Sequence, residues 1–297
     1  MGTSPISGGA GAPGRIRDLV VACHPEPTAL VTVLTGLLAL GAGRGWRTLW
    51  IAGAVLAGQL AVGWTNDYVD RNIDRATGRT DKPLARSTDT AEGIGGSGLR
   101  PSTVRTAALA ALAACLPLSI VSGIGFAAAH FTAITLAMAY NAGLKSRLLS
   151  AVPYTVAFGL VPVAVALSLP SPRWPPTWTI VAGALIGAGG HFTQALPDIP
   201  ADRRLGIRGL PQAIGQRASG ATAAILLLAA NLTVALGPGR PGPVQLAGAS
   251  LATVLAGGIT AAALTGRPRL SFRLTLAAAA LAVLALLASG RSLAPPT

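Results

Sequence analysis

The chain has 297 residues, 51% of them hydrophobic and only 11% charged, with formal net charge +13 and mean hydropathy +0.58. A soluble domain carries about 25% charged residues, so this composition excludes an ordinary soluble protein and indicates a polytopic membrane protein. Its apolar stretches are long and rich in Ala, Leu, Val and Gly, which fits spanning helices and not barrel strands. The basic residues lie between those stretches, where they orient the protein or meet phosphate and anionic lipid, which argues against a nucleic-acid partner.

In chain order, residues 1–14 are uncharged and rich in Gly, Ser and Pro and read as a disordered tail, leaving 15–297 as one transmembrane domain. Nine spans are expected, at about 19–42, 48–65, 103–122, 124–141, 149–169, 178–197, 218–236, 244–265 and 271–289. The fold class is therefore an all-α, polytopic bundle of about nine transmembrane helices. His24, Pro25, Glu26 and Pro27 interrupt the first apolar run, so it is not a simple signal peptide. With the N-terminus inside, all of the 23 Lys and Arg except Arg44, Arg47, Arg173, Arg240 and Arg291 fall on the cytoplasmic side, as do all ten acids. That predicts a multi-pass cell-membrane protein whose polar chemistry faces the cytoplasm.

The second expected span runs into TNDYVDRNIDRATGRTDKPLA, residues 65–85. Asp67, Asp70 and Asp74 share one helix face by their spacing, and Asp198 and Asp202 do the same after the sixth span. The two acidic segments lie four spans apart, a hint of a duplicated four-helix unit. Like charges this close repel unless a cation neutralises them. Oxygen donors without nearby His or Cys suit Mg²⁺, which completes its shell with water and substrate phosphates. Arg79, Lys82, Lys145 and Arg147 supply positive charge suited to a diphosphate leaving group. An amphiphile with an anionic head at the rim and a hydrocarbon tail in the bundle fits this layout. The competing reading, charged loops that only set topology, does not account for two Asp clusters in helical register. Segment 87–100 (STDTAEGIGGSGLR) reads as a loop after the first cluster.

Polar residues within the spans are secondary candidates. Gln59 shares a face with Gly63, Asn66 and Asp70, while His191 and Gln194 lead to Asp198. Such side chains serve either an acceptor pocket or interhelical hydrogen bonds. His24 and Glu26 line the same rim or sit at the interface, and Tyr140 and Tyr154 either present ring faces to a cation or anchor the interface. His130 reads as structural, and Cys23 and Cys115 as packing residues without metal-ligand spacing.

The acidic segments resemble those of the UbiA-type intramembrane prenyltransferase superfamily. The first resembles its Asn-Asp-x-x-Asp-x-x-x-Asp motif at Asn66, Asp67, Asp70 and Asp74, followed by the family's Arg79 and Lys82-Pro83-Leu84. The second is similar to Asp-x-x-x-Asp-x-x-x-Gly at Asp198, Asp202 and Gly206, and Tyr140-Asn-Ala-Gly-Leu-Lys145 is similar to a Tyr-x-x-x-Leu-Lys element. The likeness extends over about residues 15 to 290. Where the family often has Thr-Leu-Pro, this chain has Gly209-Leu210-Pro211.

Membership would imply Mg²⁺ held by Asn66, Asp67, Asp70, Asp198 and Asp202, with a prenyl diphosphate bound by Arg79, Lys82 and Lys145. Tyr140 would join the substrate site, and Asp74 would either bind metal or hold Arg71 or Lys82. The prenyl group would pass to a lipophilic or aromatic acceptor such as a quinone precursor. A membrane terpene cyclase would use the same machinery without a second substrate. A transporter or lipid-binding protein would normally carry its ionisable groups near the bilayer midplane, unlike the rim clustering here.

Overall fold

The structure is a computed structural model that describes residues 12–86, 99–239 and 241–288. The first eleven residues of the expected tail, and residues 87–98 of the expected loop with Asp89 and Glu92, lie outside the described residues. The described chain is α-helical, with short 3₁₀ turns and no strand.

The first expected span is two helices, α1 (Ala12–Ala22) and α2 (Pro25–Gly41), bent by 66°. Pro25 and Pro27 have no amide hydrogen to give to the preceding turn, so they open a helix and cannot continue one. His24 turns the chain in the left-handed region, φ 56° and ψ 69°, an arrangement that a non-glycine residue adopts at some cost.

Next comes α3 (Thr48–Ala76), which runs eleven residues past its expected end at 65, because the acids are spaced to continue the helix and Thr77-Gly78 then ends it. There follow α4 (Pro101–Ser122), α5 (Ile124–Asn141), α6 (Val152–Leu167) and α7 (Thr177–Ala195). Two short helices, α8 (Ile199–Arg204) and α9 (Leu210–Ile214), precede α10 (Gln216–Leu236), α11 (Pro243–Leu264) and α12 (Pro268–Ala288). Proline in the first turn of α4, α6, α11 and α12 marks the starts that Gly-rich or charged connections made visible in sequence.

Nine of these helices have 16 residues or more among the described residues. Six, or seven with the bent α1–α2 pair, are long and apolar enough to cross a membrane. The helices α5 and α7 fall outside that group, and they carry His130, Asn141, His191 and Gln194. The bundle packs through small residues, with Ala39, Ala54, Ala61, Ala166, Ala223 and Ala230 fully buried. In lipid there is little hydrophobic drive between helices, so close backbone approach through such residues supplies the contact. Successive long helices alternate in direction, which brings the ends of α3, α5 and α7 and the starts of α2 and α6 to one polar end.

Candidate active site

The bend at His24 is what builds the polar rim. Trp64 Nε1 donates to the Leu19 carbonyl at 2.9 Å, pinning α1 to α3, and Thr28 Oγ1 donates to the Cys23 carbonyl at 2.8 Å, holding the start of α2 to the bend. A Cβ at Gly63 would stand 2.6 Å from the Cys23 carbonyl oxygen, so only glycine permits this approach. One helical turn later is Asp67.

Asp67 is 1% exposed, and its Oδ1 accepts from Lys82 Nζ and lies 3.4 Å from His24 Nε2. Lys82 Nζ also lies 3.0 Å from His24 Nε2. The second oxygen of Asp67, Oδ2, is buried with no hydrogen-bond partner. Such an atom normally carries a desolvation penalty of about 1–3 kcal/mol, and more when charged. Asp70 accepts from Lys145 on Oδ1 and from Asn66 Nδ2 on Oδ2 at 3.1 Å. Asn66 also reaches Asn141 Oδ1 at 3.0 Å, and Asn141 donates to the Val62 carbonyl at 3.2 Å, so the ends of α3 and α5 are locked together.

Asp74 is buried too, but neither of the two cations expected to hold it does so: Arg71 donates to the Tyr68 carbonyl and lies over the Tyr68 ring at 4.4 Å, while Lys82 goes to Asp67.

The second acidic segment is held differently. Asp198 closes the turn after α7 and accepts from Arg79 Nη1, which ties the two segments together. Arg79 also makes a forked pair with Asp81 at 2.8 and 3.0 Å. That pair holds the Asp81 carboxyl down to about 2 and pushes the Arg79 guanidinium up. Asp202, on α8, accepts from Gln212 Nε2 at 2.7 Å. Burial pushes its carboxyl up, against the Gln212 hydrogen bond, and the nearby Asp198 charge pushes the same way. Arg203 Nε donates to the Gln212 carbonyl at 2.6 Å, and the Ser150 hydroxyl accepts from Leu210 N at 3.0 Å, so α8 and α9 are fixed to the turn before α6.

This tight loop accounts for Gly209. A Cβ there would run into the Lys145 carbonyl oxygen and the Gln212 side chain, and the Ser150 hydroxyl would lie 3.4 Å away. The threonine expected from the family pattern has no room, and a hydroxyl from Ser150 occupies the neighbourhood instead.

Below the rim, a cavity of about 1260 Å³, including the space at its mouth, opens between α2, α3, α5 and α6. Asn66, Asn141, His24 and Tyr140 stand at its mouth, and Gln59 and Gln194 also line it. A second, almost wholly apolar cavity of about 1050 Å³ lies between α2, α6, α7 and α12 and adjoins the first along Pro27, Val31 and Thr35 on α2 and along Tyr154, Phe158, Val161 and Gln194. Tyr154 Oη donates to Gln194 Oε1 at 2.7 Å across that boundary. Tyr140 and Tyr154 meet edge to face at 5.1 Å.

His191 lines neither cavity: it is 2% exposed, packs against both tyrosines, and its Nε2 lies 3.1 Å from Ser150 Oγ. Arg147 takes part in none of the ion pairs found among the described residues. His130, read as structural, shares a hydrogen bond with Ser119 Oγ at 3.0 Å and also faces the first cavity.

Among the described residues, no three His, Cys, Asp or Glu side chains stand grouped ready for a metal, because Lys82, Lys145 and Arg79 lie between the carboxylates. Sequence reading missed Asn141, Ser150 and Gln212. Each is a polar residue within a few positions of a recognised motif in an otherwise apolar chain, which was the available signal.

These features define a polytopic, all-helical membrane protein with a charged rim opening on an intramembrane cavity. The model of the UbiA prenyltransferase family matches residues 29–271, and the chain belongs to that family. The matched range contains both acidic segments and Tyr140–Lys145.

Among solved structures, the apo UbiA homologue from Aeropyrum pernix K1 is similar over 89% of this chain and 98% of its own, with 18% identity and a TM-score of 0.68. A structure described as digeranylgeranylglyceryl phosphate synthase is similar over 93% and 98%, with 12% identity and a TM-score of 0.62. A UbiA homologue from Archaeoglobus fulgidus, bound to GPP and Mg²⁺, is similar over 90% and 99%, with 16% identity and a TM-score of 0.60. At these identities the likeness is one of fold. No curated protein matches the chain.

Proposed function

We propose that the protein is a Mg²⁺-dependent intramembrane prenyltransferase, formed by residues 15–297 as one domain, with its site facing the cytoplasm. It would take a prenyl diphosphate as donor and a lipophilic or aromatic acceptor such as a quinone precursor. The observation that carries this reading is the convergence of three carboxylate–cation pairs, Asp67–Lys82, Asp70–Lys145 and Asp198–Arg79, at the mouth of a hydrocarbon-lined cavity. The family, and the Archaeoglobus homologue solved with GPP and Mg²⁺, support it.

The donor set fits a hard divalent cation: Asn66, Asp67, Asp70, Asp198 and Asp202 offer only oxygen ligands, and Asp67 Oδ2 is buried without a partner. Bound Mg²⁺ supplies Lewis-acid neutralisation of diphosphate oxygens. Arg79, Lys82 and Lys145 hold the diphosphate, with Asp74 behind them. Their fixed charge stabilises the negative charge that builds as the C1–O bond breaks and its electron pair leaves on the diphosphate. The allylic cation that remains lies beside Tyr140 and Tyr154, whose rings stabilise positive charge, in a cavity whose apolar walls exclude water. The acceptor gives an electron pair to C1, and an aromatic acceptor then loses a proton.

Gln59 and Gln194 line the cavity and are suited to hydrogen-bond a polar acceptor group, whereas His191 acts through Tyr140 and Tyr154 as a positioning residue. A second cavity adjoining the first along α2, α6 and Gln194 provides room for two substrates, which favours transfer over intramolecular cyclisation.

The test is diphosphate release by purified protein given geranyl or farnesyl diphosphate and a pool of aromatic and quinone precursors, in Mg²⁺ or EDTA. Release that requires Mg²⁺ and collapses in Asp67→Asn is expected. Release indifferent to EDTA and to that substitution would refute the reading.

A further inference from the structure

Most polar side chains on the wall of the first cavity are satisfied within the fold. Asn66 and Asn141 hold each other, Thr28 donates to the Cys23 carbonyl, and Gln194 accepts from Tyr154. Below the mouth, Gln59 on α3 and His130 on α5 are exceptions, and both line the first cavity and not the second. The Gln59 amide and His130 Nε2 have no hydrogen-bond partner among the described residues. Neither is sealed, unlike Asp67 Oδ2 and His191 Nδ1, so both open on the cavity.

The His130 ring is fixed by its surroundings. A Cβ at Gly58 would stand 2.9 Å from Nε2, so glycine is what lets the imidazole lie against α3. The ring meets Phe126, a core residue 1% exposed, at 5.3 Å between centroids. Nδ1 lies 3.0 Å from the hydroxyl of Ser119, a fully buried residue whose other hydrogen-bonding neighbour is Cys115 Sγ at 3.7 Å. Sulfur is the weaker acceptor, so the Ser119 proton is assigned to Nδ1, and a neutral imidazole that accepts there carries its own proton on Nε2. The cavity therefore receives an N–H donor from His130 and, beside Gly58, an amide of Gln59 that can donate or accept. Its wall contains no Asp, Glu, Lys or Arg.

These groups lie deep. Gly58 is eight residues below Asn66, about 12 Å along α3, and His130 is eleven below Asn141, about 16 Å along α5. A diphosphate held by the rim cations does not reach them. A hydrocarbon tail at this level would cover the donor and the amide without replacing their bonds to water, at a loss of up to about tenfold in affinity for each. The adjoining cavity offers a tail almost wholly apolar walls instead. A few placed polar groups in an otherwise apolar pocket are what fixes the orientation of a ligand.

Resting on the prenyltransferase reading above, we infer that the acceptor is a neutral hydroxy- or oxo-substituted aromatic, and that His130 and Gln59 bind an oxygen at the end remote from the carbon that is prenylated. His130 Nε2 donates to that oxygen, and the Gln59 amide accepts from a hydroxyl or donates to a carbonyl. A carboxylate or phosphate at that end would meet no cation and would be rejected.

The experiment uses the purified full chain with Mg²⁺ and farnesyl diphosphate and compares kcat/KM for three acceptors. One is a dihydroxynaphthalene with a hydroxyl on each ring, the second is naphthol, which lacks the far hydroxyl, and the third is a hydroxynaphthoate with a carboxylate in its place. The wild type should prefer the first to the second by about tenfold or more, the worth of one hydrogen bond, and should use the third least. In Gln59→Met and His130→Leu the preference for the far hydroxyl should fall severalfold toward one while KM for the donor holds. A merely structural loss would slow both neutral acceptors alike. His130→Gln, which keeps an N–H, should retain part of the preference.

Gln59 makes no hydrogen bond within the fold, so its variant keeps the proposal testable if changes at His130 prevent folding. A wild type indifferent to the far hydroxyl, or one that prefers the hydroxynaphthoate, would overturn this subsite alone. So would an unchanged preference in the folded variants, or release supported by the mixed precursor pool but by neither neutral acceptor. Release under no condition, or a cyclic hydrocarbon formed without any acceptor, would overturn the prenyltransferase reading with it.

Discussion

The two acidic segments do the same kind of work with opposite construction. In the first, Asp67, Asp70 and Asp74 ride on one unbroken helix, α3, so helical phase alone sets their spacing, and Asp67 and Asp74 are buried. In the second, Asp198 sits in a turn and Asp202 on a six-residue helix, and their positions are imposed from outside by Arg79, Gln212 and the Ser150–Leu210 contact. On the rigid helix the buried charge of Asp67 is tolerated because Lys82 is fixed against it. Where it is short and irregular, tertiary hydrogen bonds do the positioning, and the side chains stay more open to water.

The comparison is broken most severely at Asp67. Asp67→Asn leaves Lys82 without its buried counter-charge, and the expected result is a loss of diphosphate release of about 10²–10³-fold. Thermal unfolding should report a stability loss of about 3 kcal/mol. Asp198, with a side chain 43% exposed, should separate the two effects. Asp198→Asn is expected to lower activity about 10²-fold while changing unfolding by less than about 1 kcal/mol.

Gln212→Met tests whether the second segment depends on its outside support. It removes the donor to Asp202 at similar volume, and KM for the donor should rise about tenfold, the worth of one hydrogen bond to a charged group. Installing threonine with Gly209→Thr should not improve the enzyme: the Cβ collides with the Lys145 carbonyl, and a loss of about 1–3 kcal/mol is expected in thermal unfolding.

The smallest effect belongs to Asp81. Its carboxyl is depressed from 3.8 to about 2 by Arg79, so its stabilisation is complete above about pH 4 and lost as the pH falls through about 2. The group is 45% exposed, so its contribution is small. Unfolding of wild type and Asp81→Asn should differ slightly at pH 5, and the difference should vanish toward pH 2.

The same contrast explains what the sequence made legible. Acids at i, i+3 and i+7 after an apolar run implied a helix face, and α3 delivers it, extended beyond the expected 65 because nothing before Thr77-Gly78 stops it. The bend at His24 was announced by Pro25 and Pro27, although not its consequence, a histidine set against Asp67. Ser150 and Gln212 stood out only as polar residues near the motifs, and what they hold was not readable, since they act across sequence gaps that only packing closes. His191 shared a helix face with Gln194 in sequence, yet rotation within the packed bundle turns it away from both cavities and toward Ser150. Nine long helices are present among the described residues, while six or seven have the length and apolar character of spans. The shortfall comes from helices whose inward polar residues lower their mean hydropathy.

The central claim is that a prenyl group leaves its diphosphate at this rim and is transferred to a separate molecule. The most direct measurement follows farnesyl diphosphate labelled in the hydrocarbon through turnover by the purified protein with Mg²⁺ and a pool of aromatic and quinone precursors. The expected result is label in an acceptor adduct, with one diphosphate released per adduct and little release when the pool is omitted. Label recovered in a cyclic hydrocarbon with the pool omitted, or donor returned intact under every condition, would contradict it.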